Sequence, residues 1–197
     1  MNKGRGIFFV LALVAVSETG AQPMSVDTRS QYQMYIKVLA FDKALLSRVG
    51  DEVVIGILYN GASRESRWIK DEMAREIDAG PKDLEGRAIR SIAVPLGDPK
   101  KLAAEILRDG IDILYVCPLD PYSMSPVTGA SRAAGVATFT GVVDYVSRGI
   151  SVGFRISGRG AKILVNLAAA KAEGSDFSSR LLSVVTVMDK TSGGITP

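Results

Sequence analysis

Four aspartates near the ends of predicted strands are the side chains best placed for acid–base chemistry: Asp109, Asp112, Asp120 and Asp144. Two carboxylates can transfer a proton when one is protonated and the other is ionised. Acidic residues at strand ends more often cap helices or face water. The chain has no histidine, which excludes Ser-His-Asp and Cys-His nucleophile pairs and histidine metal sites. We therefore expect a protein that is not an enzyme, with no cofactor and no metal ion.

The glycines of Gly158-Arg159-Gly160 have the composition of a phosphate-binding loop. That interpretation requires a strand followed by a helix, whereas this segment joins two predicted strands. A hairpin turn explains the glycines better. The sequence contains neither a Walker-type loop nor a dinucleotide-binding fingerprint.

Four polar residues follow the predicted strands and are the candidate contacts for a small ligand: Asn60, Ser63, Tyr122 and Thr140. In an open parallel sheet, ligands favour the crevice beyond the carboxyl ends of the strands, where helix amino termini offer free N–H groups. The alternative is that Asn60 and Ser63 cap a helix and that Tyr122 packs against its neighbours. This alternative is the more common arrangement for such residues.

Trp68 and Met73 share one face of the helix predicted over 63–79. An exposed stripe of this kind can be a docking surface. We expect both side chains to pack in the core instead, because Ile69 and Ile77 continue the same apolar stripe.

Strands and helices alternate along the chain. Strands are predicted at 53–59, 87–96, 111–119 and 136–140, and helices at 31–48, 63–79, 99–109 and 125–134. A hairpin over 150–165 leads into a helix over 167–173 that Asn166 caps, and a last helix runs from Ser175 or Asp176 to Val185. The pattern predicts an α/β fold, a three-layer sandwich with a mostly parallel central sheet, a C-terminal β-hairpin edge and two C-terminal helices.

The chain length of 197 residues fits one domain, predicted over 31–188 between a flexible leader at 22–30 and a flexible tail at 189–197. Lys and Arg number 24 against 21 Asp and Glu, and no stretch concentrates basic residues. We therefore expect no nucleic-acid partner.

The first 21 residues have the pattern of a secretory signal peptide. Lys3 and Arg5 precede an apolar run over 7–16, and Thr19 and Ala21 occupy the −3 and −1 positions of a cleavage site after Ala21. The apolar run is too short for a stable membrane anchor. The pattern predicts export to the periplasm.

Cys117 is the single cysteine, so no disulfide can form within the chain even in an oxidising compartment. It lies in the apolar run 111–119. We expect a buried core thiol, with a redox-active or intermolecular thiol as the alternative.

The C-terminal third resembles a known family. A glycine-led strand is followed by Val165-Asn166-Leu167-Ala168-Ala169-Ala170 and then by Ser178-Ser179-Arg180-Leu181-Leu182. Upstream, the runs 35–41 and 53–59 resemble the opening helix and first strand of the same family. This combination is similar to that of the YfiR-like proteins, a periplasmic family also described as a domain of unknown function. The resemblance covers roughly residues 30 to 188.

The resemblance implies a periplasmic module that restrains an inner-membrane diguanylate cyclase or similar sensor, lowering cyclic-di-GMP output and biofilm formation. It leaves open whether the chain forms a homodimer. Some YfiR-like proteins carry disulfides, and this chain departs from them. The alternative function is a periplasmic small-molecule-binding domain that resembles one lobe of a solute-binding protein.

Overall fold

An eight-stranded sheet forms the middle layer of the computed structural model, which describes residue 24, residues 26–158 and residues 160–188. The helices are α1 (Thr28–Leu39), α2 (Lys43–Arg48), α3 (Arg64–Ala79), α4 (Leu102–Arg108), α5 (Met124–Ala134), α6 (Val143–Ser147), α7 (Leu167–Ala172) and α8 (Ser179–Leu182). The strands are β1 (Glu52–Tyr59), β2 (Asp83–Leu84), β3 (Arg87–Pro95), β4 (Ile113–Val116), β5 (Ala137–Thr140), β6 (Val152–Ser157), β7 (Gly160–Asn166) and β8 (Thr186–Met188).

The strand order is β2-β3-β1-β4-β5-β6-β7-β8. Neighbouring strands from β3 to β6 are parallel, β6 and β7 form the antiparallel hairpin, and β8 returns parallel to β7. The predicted α/β architecture with a mostly parallel sheet and helices on both faces is confirmed. The hairpin lies one strand in from the edge, because β8 pairs along Leu164–Asn166 and forms the edge itself.

Side chains of β1 alternate between two apolar cores, as the two-residue period of a strand requires. Val53, Ile55 and Ile57 pack with α1, α3 and α8 on one face, and Val54 and Leu58 pack with α4, α5 and α6 on the other. The continuous apolar run of the sequence is therefore that of a central strand buried on both sides.

The first helix begins at Thr28, inside the stretch 22–30 that the sequence predicts as a flexible leader. Asp27 caps it, since its carboxylate accepts a hydrogen bond from the Ser30 N–H at 2.9 Å. The predicted single helix over 31–48 is wrong. Asp42 is buried and accepts from the Ala44 and Leu45 N–H groups, and this cap ends α1 and starts α2 as a separate helix.

The other boundaries shift for similar reasons. The Asp98 carboxylate accepts from the Lys100 N–H, which forms a turn, so α4 starts at Leu102. The predicted last helix up to Val185 is shorter than expected, because Ser178 caps only the single turn of α8 and the chain then extends into β8. Helix α6 was not predicted. The predicted signal peptide, the cleavage after Ala21 and the tail at 189–197 lie outside the described residues.

Candidate functional site

The structure gathers the loops of the predicted ligand contacts at one edge of the sheet. Strands β1, β4 and β5 are parallel neighbours, so their carboxyl ends meet there. Asn60 and Ser63 follow β1, Tyr122 follows β4, and Thr140 ends β5. The predicted residues thus share one region of the molecule, but their side chains differ widely in exposure and partners.

Asn60 and Ser63 hold the start of α3. The Asn60 carboxamide oxygen accepts from the Ala62 N–H at 2.9 Å, and the Ser63 hydroxyl accepts from the Ser66 N–H at 3.2 Å. The Ser66 hydroxyl in turn accepts from the Asn60 N–H. These contacts form a helix-capping pattern, which is the predicted alternative to ligand binding at these two residues.

Thr140 is fully buried, and its hydroxyl donates to the Val116 carbonyl at 2.9 Å and accepts from the Val142 N–H at 3.1 Å. Tyr122 is the opposite case, with 92% of its surface exposed on a short 3-10 turn that the Asp120 carboxylate caps. The packing expected for Tyr122 as the alternative to binding is therefore wrong. The Thr140 hydroxyl does not face solvent, whereas the Tyr122 ring does.

The amino-terminal segment, residues 24 and 26–31, lies over this edge. Gln31 is fully buried, and its amide nitrogen donates to the Val26 carbonyl at 2.6 Å. Its amide oxygen accepts from the hydroxyls of Tyr35, at 3.1 Å, and Tyr115 in β4, at 2.9 Å. The Met24 sulfur lies 3.5 Å from the same Tyr115 hydroxyl. The segment therefore occupies part of the crevice in which such a fold would place a ligand.

Two features fix the segment there. Gly141 faces it without a side chain, and a Cβ at this position would lie 2.6 Å from the Met24 sulfur and would also collide with the Gln31 amide. Burial raises the pKa of Tyr35 and Tyr115 well above the ordinary tyrosine value, so both hydroxyls stay protonated and can donate to Gln31.

Beside the amino-terminal segment lies an open groove of about 590 Å³, formed with the first four turns of α3. Its lining residues are Met24, Val26, Asp27, Thr28, Arg29, Glu65, Trp68, Ile69, Glu72 and Glu76. We call it the Trp68 groove, since Trp68 is its one aromatic lining residue and is 56% exposed.

The exposure of Trp68 corrects the sequence prediction that it packs in the core. Ile69, Met73 and Ile77 do face the sheet and are buried, as predicted. They are spaced four residues apart, which keeps them on one line of the helix. Trp68 lies about 100° around the helix from Ile69 and so falls at the border of the buried stripe.

Acidic side chains dominate the Trp68 groove, with four carboxylates against the single guanidinium of Arg29. Arg29 Nε lies 3.1 Å from Glu76, and Arg75 Nη2 lies 2.5 Å from Glu72. A backbone hydrogen bond from Ser30 lowers the pKa of Asp27. The groove therefore carries a net negative charge at neutral pH.

Two basic side chains of α3, Arg67 and Lys70, have partners outside the groove. Arg67 donates to the Gly61 carbonyl. Lys70 pairs with Asp71 at 2.5 Å and lies 5.2 Å from the centre of the Tyr59 ring. These two positive charges are therefore engaged outside the groove, whereas Arg75 pairs with Glu72.

A second polar centre, unforeseen in the sequence, surrounds Glu173 just after α7. Its carboxylate is fully buried and accepts from the Ser131 hydroxyl at 2.8 Å, the Thr138 N–H at 2.9 Å and the Thr138 hydroxyl at 2.8 Å, and also from the Ser151 hydroxyl. Burial raises the pKa of Glu173. The cluster ties α7 to α5 and to the amino ends of β5 and β6, which is a structural role.

The four aspartates considered for acid–base chemistry serve local roles. Asp109 pairs with Arg108 at 2.7 Å, Asp112 accepts from the Val54 N–H at 2.8 Å, Asp120 caps the 3-10 turn, and Asp144 lies in the first turn of α6. Burial raises the pKa of Asp112. Each carboxylate thus has a structural or capping position of its own.

Cys117 is a buried free thiol, as predicted, and burial raises its pKa, which disfavours the reactive thiolate. Within the described part of the chain, no group of three or more Cys, Asp and Glu residues is arranged to hold a metal ion. No helix in that same part has the length and apolarity needed to cross a membrane.

The fold is similar to several solved structures at low sequence identity. A conserved domain protein from Vibrio cholerae O1 biovar El Tor matches with a TM-score of 0.56 at 13% identity over 84% of this chain and 61% of its own. The ABC domain from Streptococcus pneumonia, solved in complex with L-Trp, gives a TM-score of 0.54 at 15% identity over 82% of this chain and 61% of its own.

A substrate binding protein with adhesive properties from Clostridium difficile, in its ligand-free open form, gives a TM-score of 0.51 at 16% identity over 79% of this chain and 59% of its own. The chain thus spans about 60% of the length of these neighbours. At such identities the likeness establishes the fold alone, an α/β fold with a mostly parallel sheet.

No curated protein matches the sequence at a significant level. A family model does match, over residues 67–186, which is more than half of the chain. The match covers most of α3, strands β2 to β7 and helices α4 to α8. It includes the C-terminal runs on which the sequence resemblance rests, whereas the upstream runs 35–41 and 53–59 lie outside it. The chain belongs to the YfiR/HmsC-like family of periplasmic regulatory domains.

Proposed function

We propose that this chain acts in the periplasm as a regulatory module that restrains a membrane-bound sensor, of the diguanylate cyclase type, by protein–protein contact. The observation that carries the proposal is the position of the amino-terminal segment over the carboxyl edge of the sheet, in a chain of this family. Because the chain itself partly fills that crevice, we expect the outer surface to bind the partner protein.

Displacing the segment would be costly. The Gln31 amide and the hydroxyls of Tyr35 and Tyr115 would each lose a buried partner. A buried polar group without a partner costs about 1–3 kcal/mol. A small molecule entering this crevice would have to replace all of these contacts, whereas a protein partner can leave them in place.

Restraint requires a preference between two states of the sensor. The module must bind the inactive state more tightly than the active state, since a ligand with equal affinity for both shifts nothing. A preference of about 1.4 kcal/mol already changes the ratio of the two states tenfold. A modest interface with the right selectivity is therefore sufficient.

The test combines a cellular and a biochemical measurement. Deleting the gene in its native host should raise cyclic-di-GMP and biofilm formation, and the full-length gene should restore both to the original level. A version lacking residues 1–21 should fail to restore them, because it would not be exported. The tagged mature protein should also recover an inner-membrane sensor from a native membrane extract. Unchanged cyclic-di-GMP together with no recovered sensor would contradict the proposal.

The Trp68 groove supports a second candidate, a small-molecule-binding domain. Its volume of about 590 Å³ is within the range of roughly 300–1,000 Å³ that is typical of ligand pockets. A ligand present at a hundred times its dissociation constant stabilises a protein by about 2.7 kcal/mol. A thermal-shift screen with amino acids, nucleosides and other metabolites would detect this, and a flat screen would count against the candidate.

A further inference from the structure

We propose that the Trp68 groove is the docking site for a basic, Arg- or Lys-bearing segment of the partner protein. This inference rests on the proposed function, because it names the surface through which the restraint would act. The partner's cation would lie against the exposed indole of Trp68, and further basic side chains would pair with the carboxylates around it.

Trp68 is unusual among the exposed apolar residues because of its surroundings. Its indole is 56% exposed, and the helix neighbours that share the groove are Glu65, Glu72 and Glu76. The indole face is the aromatic surface that attracts a cation most strongly. Ile69 and Val26, both buried, provide an apolar floor for the aliphatic part of a long basic side chain.

The length of the acidic face suits an extended segment. Glu65, Trp68, Glu72 and Glu76 stand at positions i, i+3, i+7 and i+11 of α3, so they follow one side of the helix. Eleven residues of helix span about 17 Å at 1.5 Å per residue. That distance corresponds to about five residues of extended chain.

The charges of the groove are available to a partner. The two groove carboxylates that form ion pairs are bound by mostly exposed arginines, Glu76 by Arg29 and Glu72 by Arg75. The Glu76 and Glu72 side chains are 18% and 21% exposed, so each pair is open to water mainly on its arginine side, where an incoming cation can take the place of the arginine. Glu65 forms no ion pair with any described residue.

The same charge discriminates against other surfaces. A groove with this excess of carboxylates repels an acidic segment or an anionic lipid headgroup and attracts a basic segment during encounter. Attraction of this kind speeds association and weakens as salt is added. Binding through the Trp68 groove should therefore be strongly salt-dependent.

The single tryptophan of the chain provides a direct test. Mature protein carrying 5-fluorotryptophan has one fluorine resonance, that of Trp68. The probe is a tryptophan-free peptide of alternating arginine and glycine, and its matched control is the same peptide with glutamate in place of arginine. We expect a saturable shift of the resonance with the arginine peptide and no shift with the glutamate peptide.

Charge reversal in E65K/E72K should lower the affinity for the arginine peptide at least tenfold. L107A should bind as the wild type does, since Leu107 is an exposed apolar residue of α4 on the opposite face of the sheet. Circular dichroism confirms that each variant is folded. No shift with the arginine peptide, an equal shift with the glutamate peptide, or unchanged affinity in E65K/E72K would overturn the inference.

Recovery of the sensor from a native membrane extract provides a second test. The sensor recovered with wild-type protein should be lost with W68A and with E65K/E72K and retained with L107A. Recovery that is equal with all four proteins would overturn the docking site and leave the proposed function intact. A failure to recover any sensor, alongside a specific shift with the arginine peptide, would overturn the proposed function and leave the groove as a site for basic segments.

Discussion

Two regions of this molecule concentrate carboxylates in opposite ways. Glu173 lies near the amino ends of β5 and β6, where four hydrogen bonds surround one buried carboxylate that forms no ion pair with a residue the structure describes. The Trp68 groove lies beside the carboxyl ends of the strands, where several carboxylates face water around an exposed ring. The buried group holds the fold together, and the exposed groups leave a surface for contact. The comparison separates stability from recognition, so a substitution in each region should affect only one of them.

The largest expected effect is that of E173A. Removing the carboxylate leaves the Ser151 hydroxyl and both donors of Thr138 without that partner, whereas the Ser131 hydroxyl keeps the Thr128 carbonyl as an acceptor. We expect the free energy of unfolding to fall by about 3 kcal/mol, because each buried donor without a partner costs about 1–3 kcal/mol and hydroxyls can reorient. Urea denaturation measures this, with E72A in the groove as the control. Equal losses in E173A and E72A would remove the distinction between the two regions.

The next effect concerns the amino-terminal segment that borders the groove. In G141A the new methyl group would meet the Met24 sulfur and the Gln31 amide. We expect a loss of about 1–2 kcal/mol, as overpacking typically costs about 1–3 kcal/mol, and faster proteolysis near residue 26. G97A is the matched control, since a Cβ at Gly97 has no neighbour within 4 Å. Identical cleavage patterns in the two variants would argue against a tightly seated segment.

A smaller effect is the pH dependence of the Glu173 cluster. Burial raises the pKa of Glu173 in the folded protein above its unfolded value, so the folded state favours the protonated form. Its contribution to stability is therefore complete below the unfolded pKa and is lost as pH rises through the folded pKa. Compared with E173Q, the wild type should be relatively most stable near pH 4 and lose that advantage towards neutral pH. Urea denaturation of both proteins from pH 4 to 8 measures the difference in their free energies of unfolding. An advantage of the wild type that grows with pH would contradict the prediction.

The smallest effect is that of W68A on stability. Because the indole is mostly outside the core, we expect the free energy of unfolding to change by no more than about 0.5 kcal/mol, as is usual for surface positions. Thermal and urea unfolding provide the measurement, with L107A as the exposed control. A loss of several kcal/mol in W68A would mean that the groove serves the fold in the same way as Glu173.

Much of the architecture is predictable from local pattern. The apolar run of β1, the cap at Ser63, the cap at Asn166 and the hairpin each reflect interactions within a few residues. The exposure of Trp68 was not predictable in this way, because a residue at the border of an apolar stripe is buried or exposed according to where a distant segment packs. Strand β8 was missed since a short apolar run cannot be told from a helix end by periodicity.

The site depended still more on distant contacts. Gln31 bonds to Tyr115, and Ser131 bonds to Glu173, across 84 and 42 residues respectively. Glu173 follows an alanine-rich helix and has the local sequence of a surface carboxylate, so nothing nearby indicates its burial. Asn60, Ser63, Tyr122 and Thr140 do lie at one edge of the sheet, because parallel strands bring their carboxyl ends together.

The bond between Gln31 and Tyr115 also constrains the timing of biogenesis. The two residues are 84 positions apart, so the ribosome needs about 4 to 17 s at 5–20 residues per second to deliver the second after the first. During that interval the Gln31 amide oxygen can accept from the Tyr35 hydroxyl but not yet from that of Tyr115. The contact that joins the opening helix to the middle of the sheet therefore forms only once β4 has been made.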